Sequence, residues 1–163
     1  VDALAATGVP AIMLDTLYAS QSIMSKSMWL EFEGPYVRRI AERIRKHGCQ
    51  VMIHNCGNGI YFDAQIETMK PVAISFLHLP DDCQSPRELK EKYGSQVTLI
   101  GRIPPTWLLT CTQEELEEEC RREIDDYKAG GGFILATGCE YPANLGLEHA
   151  RTIVRMAKEY GKY

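Results

Sequence analysis

Long apolar runs are missing from this sequence: its hydrophobic stretches are short and interrupted, which excludes a membrane-spanning helix and the apolar core of a signal peptide. Clusters of basic residues are missing too. The 18 Lys and Arg against 22 Asp and Glu leave a net charge of -4, so neither nucleic acid nor an anionic membrane is an expected partner. Aromatic residues are sparse at 9%, yet 45% of the chain is hydrophobic, and 163 residues of that composition can bury the core of a single domain, residues 1–163. An initiator Met is absent as well; VDALAATGVP reads as the end of a helix and its exit turn, as if cut from something longer.

Cysteine is plentiful but lacks the regular spacing of a disulfide scaffold. Cys49, Cys56, Cys83, Cys111, Cys120 and Cys139 are scattered through a chain too large to need such staples, which implies a reducing compartment and a cytoplasmic protein. Most cysteines in that setting are small core residues, as Cys120 is expected to be between Leu116 and Ile124 at helical spacing. Cys56 and Cys139 stand apart because each comes at the end of an apolar run with a glycine next to it, Gly57 after the first and Gly138 before the second.

The apolar and polar periodicities alternate. Strands are predicted over 9–15, 49–55, 72–78, 97–103 and 132–137, with loop over 16–26. A helical stretch broken at Gly34-Pro35 lies between the first two strands, its second part carrying Val37, Ile40 and Ile44 on one face and Gly48 as its cap. A short helix is expected near 61–69. Ser85-Pro86-Arg87-Glu88 and Thr112-Gln113-Glu114-Glu115 open two more, which run to Gly94 and Gly130, and a last helix covers about 146–160. Strand-then-helix alternation means a parallel sheet with helical crossovers. Two architectures fit: a complete five-stranded doubly wound sheet, or five βα units of a (β/α)8 TIM barrel. Both gather ligands at the carboxyl ends of strands, where Asp15, His54, Cys56, His78, Arg102 and Cys139 fall.

In VMIHNCGNG, His54 and Cys56 are two residues apart, so an extended chain points both the same way. GFILATGC delivers Cys139 in the same manner. An imidazole and two thiolates make a three-ligand zinc site with an open position, the catalytic arrangement. Two thiolates make it soft, suited to a substrate sulfur whose pKa the metal would lower; alkyl transfer to sulfur is then the natural reaction, with zinc-hydroxide hydrolysis a less typical one. A structural zinc module would want a fourth firm ligand, for which no nearby Cys or His stands out, and an inert fragment is the remaining alternative.

HNCGN, the G-x-I-x-P segment Gly101 to Pro105, and GGGFILATGCEYP together resemble the uroporphyrinogen decarboxylase superfamily, and within it the zinc-binding corrinoid-dependent methyltransferases such as the methylcobamide:coenzyme M methyltransferases. The likeness extends over Asp15, the Pro35-Tyr36 helix start and the closing helix. It implies the C-terminal five βα units of a TIM barrel lacking roughly its first three strands. It also implies zinc on His54, Cys56 and Cys139, activating a small-molecule acceptor such as a thiol that takes a methyl group from a corrinoid carried on a partner protein. This chain has no D-x-H-x-x-G motif to hold a corrinoid itself. Asp15 is the candidate catalytic carboxylate. Arg102 would hold an anionic group on the acceptor or pair with Asp81 or Asp82; His78 would touch substrate or bond to backbone; Glu140 would complete the metal's ligands or stay solvated. The decarboxylase branch of the superfamily needs no metal and is the alternative reading.

Overall fold

In the computed structural model, which describes residues 1–162, five strands form one sheet: β1 (Ala11–Asp15), β2 (Gln50–Asn55), β3 (Ala73–Phe76), β4 (Thr98–Ile103) and β5 (Phe133–Thr137). Between and around them run α1 (Asp2–Ala5), α2 (Lys26–Phe32), α3 (Gly34–Lys46), α4 (Phe62–Met69), α5 (Pro86–Tyr93), α6 (Gln113–Tyr127) and α7 (Glu148–Glu159). All strand pairs are parallel, and the spatial order is β1-β2-β3-β4-β5. A doubly wound sheet reverses its strand order at a switch point. This one never reverses, so each crossover steps the same way round and the sheet is an arc of a barrel.

Side chains alternate across that arc. On the helix-covered face, Ile12, Val51, Ile53, Ile74, Phe76, Leu99 and Phe133 belong to one buried cluster. An aromatic chain binds its layers: Phe62 meets Phe76 (5.6 Å, edge-on) and Tyr93 (5.5 Å), while Tyr127 meets Phe76 (6.0 Å) and stacks on Phe133 (5.0 Å). A second cluster, with Ile103, Leu116, Cys120, Ile153 and Met156, joins β4 to α6 and α7. The concave face is different. Met13 and Ile134, on the strands at the two edges, are 48% and 50% exposed, because the sheet stops before it closes over them.

Most helix ends follow the expected chemistry. The Thr112 hydroxyl accepts from the Glu115 N–H while the Glu115 carboxylate accepts from the Thr112 N–H, a complete capping box. The Ser85 hydroxyl accepts from Glu88 N–H, but the Glu88 carboxylate turns outward to Gln84 N–H (2.7 Å), so that box is only half formed. Gly48, at φ +76°, ends α3 in the left-handed conformation that glycine tolerates.

Three expectations need correcting. Ile40 is 39% exposed, and Ala41 takes its place in the buried stripe with Val37 and Ile44, because spacings of four and three residues from Val37 trace the face that meets the sheet. The third strand stops at Phe76, so Leu77 and His78 lie in the following loop. The helix opened by Thr112 stops at Tyr127, ahead of Gly130 and Gly131 with their positive φ.

Gly101, at φ +150°, has room for nothing larger: a Cβ there would sit 2.5 Å from the Phe76 carbonyl oxygen. Gly101→Ala should therefore lower stability by about 1–3 kcal/mol, read as a shifted urea midpoint, and an unchanged midpoint would contradict this account. The β1 and β5 edges have no further strand beside them among the described residues. Self-association at micromolar concentration is the expected result in sedimentation velocity; a clean monomer would mean the edges are protected in another way.

Candidate metal centre

The site begins with strand register. Asp15 pairs with His54, and His54 with Ser75, so three polar side chains stand side by side on the concave face at the carboxyl ends of β1, β2 and β3. Ser75 Oγ lies 3.0 Å from His54 Nδ1. With Nδ1 donating to that hydroxyl, Nε2 is the nitrogen free to bind a metal, and the ring orientation is fixed.

The next residue, Asn55, points the opposite way and is wholly buried. Its amide donates to the carbonyls of Thr16 (2.6 Å) and Ala19 (3.2 Å), and its Oδ1 accepts from Gly57 N–H (2.8 Å). Gln65, equally buried, accepts from the Thr16 hydroxyl and donates to Ala19 O. These bonds draw the loop after β1 against the turn after β2, so tightly that a Cβ on Gly57 would fall 2.3 Å from Ser20 Oγ. Cys56 is thereby carried back to the His54 side. Cys139 arrives from β5 through Gly138, whose N–H donates to Ile103 O (2.9 Å) and whose missing side chain admits Leu77. The result is one donor atom each from His54, Cys56 and Cys139, all within 4.8 Å of one another.

That group suits a zinc ion. Donors bound to one zinc at about 2.0–2.3 Å are separated by about 3.3–3.8 Å in a tetrahedron, a spacing inside the 4.8 Å limit within which these three lie. Burial pushes the Cys56 thiol up to about 11, and hydrogen bonding to Cys139, the charge of that thiol and the Asp15 carboxylate act in the same direction. The Cys56 thiol, held beside a second thiol and a carboxylate, resists ionisation, and a divalent cation removes that resistance. A cavity of about 380 Å³ opens beside them, lined by Met13, Asp15, His54, Ser75, Cys139 and Glu140. Asp15 and Glu140 are exposed at its mouth.

Arg102 and His78 line a second cavity of about 380 Å³, with Gln21, Asn58, Gly59 and Asp81 among its walls. Arg102 pairs with neither Asp81 nor Asp82: its Nε is 3.4 Å from Glu123 Oε1, while Asp81 is taken by Lys26 (3.0 Å) and Asp82 by Lys92 (2.7 Å). The His78 imidazole has no hydrogen bond to backbone or side chain among the described residues. Asp63, Asp81 and Asp82 also gather within 4.8 Å, but Lys26 bridges Asp63 and Asp81, so this group is an ion-paired cluster. All six cysteines are free thiols. Sequence reasoning missed Ser75, Asn55 and Glu123. Ser75 had a faint signal as the lone hydroxyl in the apolar run VAISFLH; Asn55 and Glu123 had none, since their roles depend on partners remote in sequence.

A parallel arc with polar side chains collected at its carboxyl ends is the architecture of a segment of an α/β barrel. The family model for uroporphyrinogen decarboxylase (URO-D) matches residues 1–160, and the chain belongs to that family. It is similar to the uroporphyrinogen decarboxylase of Neisseria meningitidis serogroup C, 25% identical over 144 residues that make up 86% of this chain and 39% of that protein. The Methylobacillus flagellatus uroporphyrinogen decarboxylase is 28% identical over 137 residues, covering 82% and 36%. The chain thus spans about two fifths of the length of these relatives. Among solved structures, a methyltransferase from Methanosarcina mazei superposes with a TM-score of 0.75 at 20% identity, over 98% of this chain and 45% of that one, which establishes the shared fold.

The raised Cys56 thiol has a chemical signature. A pKa of about 11 instead of 9 leaves less thiolate at pH 8, partly offset by that thiolate's greater nucleophilicity. Metal-free chain should carboxamidomethylate Cys56 roughly tenfold more slowly than an ordinary exposed cysteine, as followed by peptide mass spectrometry. A rate equal to that of a model thiol would show that the pair is not held together in solution.

Proposed function

We propose that the protein of which this chain is part is a zinc-dependent methyltransferase, moving a methyl group from a methylated corrinoid protein to a small-molecule acceptor, a thiol being the best fit. The observation that carries this reading is the convergence of His54, Cys56 and Cys139. When bound, zinc supplies a Lewis acid that lowers the pKa of an acceptor thiol and keeps it nucleophilic at neutral pH. Cys56 and Cys139 would hold it as thiolates, making a soft site that favours sulfur as the fourth ligand. His54 would hold it through Nε2, with the Ser75 hydroxyl fixing the tautomer by accepting a hydrogen bond from Nδ1–H.

Asp15, beside His54 in the strand register and lining the same cavity, is the candidate to take the acceptor's proton on a carboxylate oxygen. Glu140 is the candidate for a fourth ligand when no acceptor is present. Arg102 and His78, in the neighbouring cavity, are candidates for contacts to the remainder of the acceptor. The corrinoid belongs to a partner protein in this reading, since the chain has no D-x-H-x-x-G motif. Among the described residues no helix is long and apolar enough to cross a membrane, and six free thiols suit the cytoplasmic location proposed. A second reading, metal-free decarboxylation, draws on the names of the curated relatives. The half-buried pair of thiols beside an imidazole has no part in it.

Elemental analysis decides between them. Freshly purified chain should contain close to one zinc, lost in both Cys56→Ser and Cys139→Ser, and Ser75→Ala should weaken zinc binding by about tenfold or more in a chelator competition. Absence of metal even after zinc is supplied would overturn the methyltransferase reading in favour of the decarboxylase one.

A further inference from the structure

Arg102 is the cation of the second cavity. It sits on β4, its side chain 25% exposed, between the cavity and a buried polar group on α6. Glu123 is 1% exposed, with Oε1 3.4 Å from Arg102 Nε and Oε2 without any hydrogen bond. The buried Tyr127 hydroxyl, one turn along the helix, interacts with the Arg102 side chain without a well-formed hydrogen bond, and Arg102 Nε is held as loosely. Buried polar groups are almost always paired, and three loosely satisfied ones at one spot mark an arrangement suited to more than this contact. The opposing charge in the cavity, Asp81, is met by Lys26 through Oδ2, while its Oδ1 is buried without a hydrogen bond. His78 lies on the same wall with its imidazole unengaged.

We propose that this cavity is a binding site for the carboxylate or sulfonate of a small-molecule ligand, in which the bound anion replaces Glu123 as the partner of Arg102. The planar fork of a guanidinium suits either group. Glu123 and Tyr127 are positioning residues: they hold Arg102 at the cavity wall while the site is empty, and they do not touch the ligand. That the anion is one end of a methyl acceptor rests on the function proposed above; anion binding itself needs no metal and is measured without it.

Competition for one guanidinium has a proton consequence. Burial pushes Glu123 up to about 7, the nearby Arg102 opposing this and Glu119 and Asp126 reinforcing it, with Arg122 a weaker opponent. On the adjoining helices, Arg155 of α7 is engaged by Glu117 and Lys90 of α5 by the Gly131 carbonyl. An anion that takes Arg102 away removes the main influence favouring the Glu123 carboxylate. Its pKa then rises further, and binding takes up a proton. Affinity is therefore highest below neutral pH, where Glu123 is already uncharged, and falls as pH rises and the carboxylate reclaims Arg102.

The test is calorimetric titration of the chain, dialysed against chelator, with sulfate, methanesulfonate and acetate at pH 6 and pH 8. Binding should weaken by about fivefold across that interval. Glu123→Gln should bind at pH 8 as tightly as the unmodified chain does at pH 6, with no pH dependence left, whereas His78→Gln should keep the dependence. Arg102→Gln should lose about tenfold or more in affinity at both pH values. The double variant Arg102→Gln/Glu123→Gln, which leaves no buried charge unpaired, must show the same loss and covers a failure of the single variant to fold. Unchanged binding in both Arg102 variants would overturn the site. A pH dependence that survives in Glu123→Gln but disappears in His78→Gln would remove Glu123 from it. Methanesulfonate binding without acetate binding, or the reverse, identifies the anion class. None of these outcomes alters the zinc content, so the two proposals fail separately.

Discussion

The buried amide of Asn55 holds the carboxyl end of the sheet together. It faces away from the candidate metal centre, yet it ties the carbonyls of Thr16 and Ala19 to the N–H of Gly57. It adds to backbone bonds that also join these two loops, from Gln21 N–H to Gly59 O and from Tyr61 N–H to Ala19 O. With it, the turn after β2 is fixed closely enough to return Cys56 to the side of His54. A wholly buried amide with three good hydrogen bonds is costly to disturb, because removing one partner strands the others away from water. The site's geometry is thus set from behind, by a residue that takes no part in its chemistry.

Strand register does the same work laterally. Parallel pairing places Asp15, His54 and Ser75 at one level, so the proposed proton carrier, the candidate metal ligand and the hydroxyl beside it come from three separate strands. Polar groups on that row face the open concavity, whereas the row behind them is packed under the helices. Glu123 is the exception. It is buried on α6 and reaches Arg102 from the helical side, coupling the second cavity to the layer that otherwise only supports the sheet.

Much of this was legible before any coordinates. Apolar runs ending in His54, Cys56 and Cys139 marked the strand tips, and the Thr112 to Glu115 box marked where α6 begins, because such signals are local and their chemistry is short-range. The direction in which successive strands add was not legible, since both candidate architectures share the same alternation; only the unreversed order of the sheet separates them. Ile40 was misplaced for a similar reason: periodicity gives an apolar stripe, but its exact centre depends on where the helix meets the sheet. Arg102 had an evident charge and an unforeseeable partner, Glu123, in a helix whose acidic residues mostly face solvent.

The unreversed order also bears on how such a chain assembles. Each strand pairs with the one that follows it in sequence, and no pairing joins the first strand to the last. Every new βα unit therefore finds its template already formed by the unit before it, and loop closure never spans more than one crossover. An arc built this way can grow by addition at an edge. Its layers depend on nearest neighbours, much as in a solenoid, so the candidate metal centre, which joins the end of β2 to the end of β5, needs the strands between them in place.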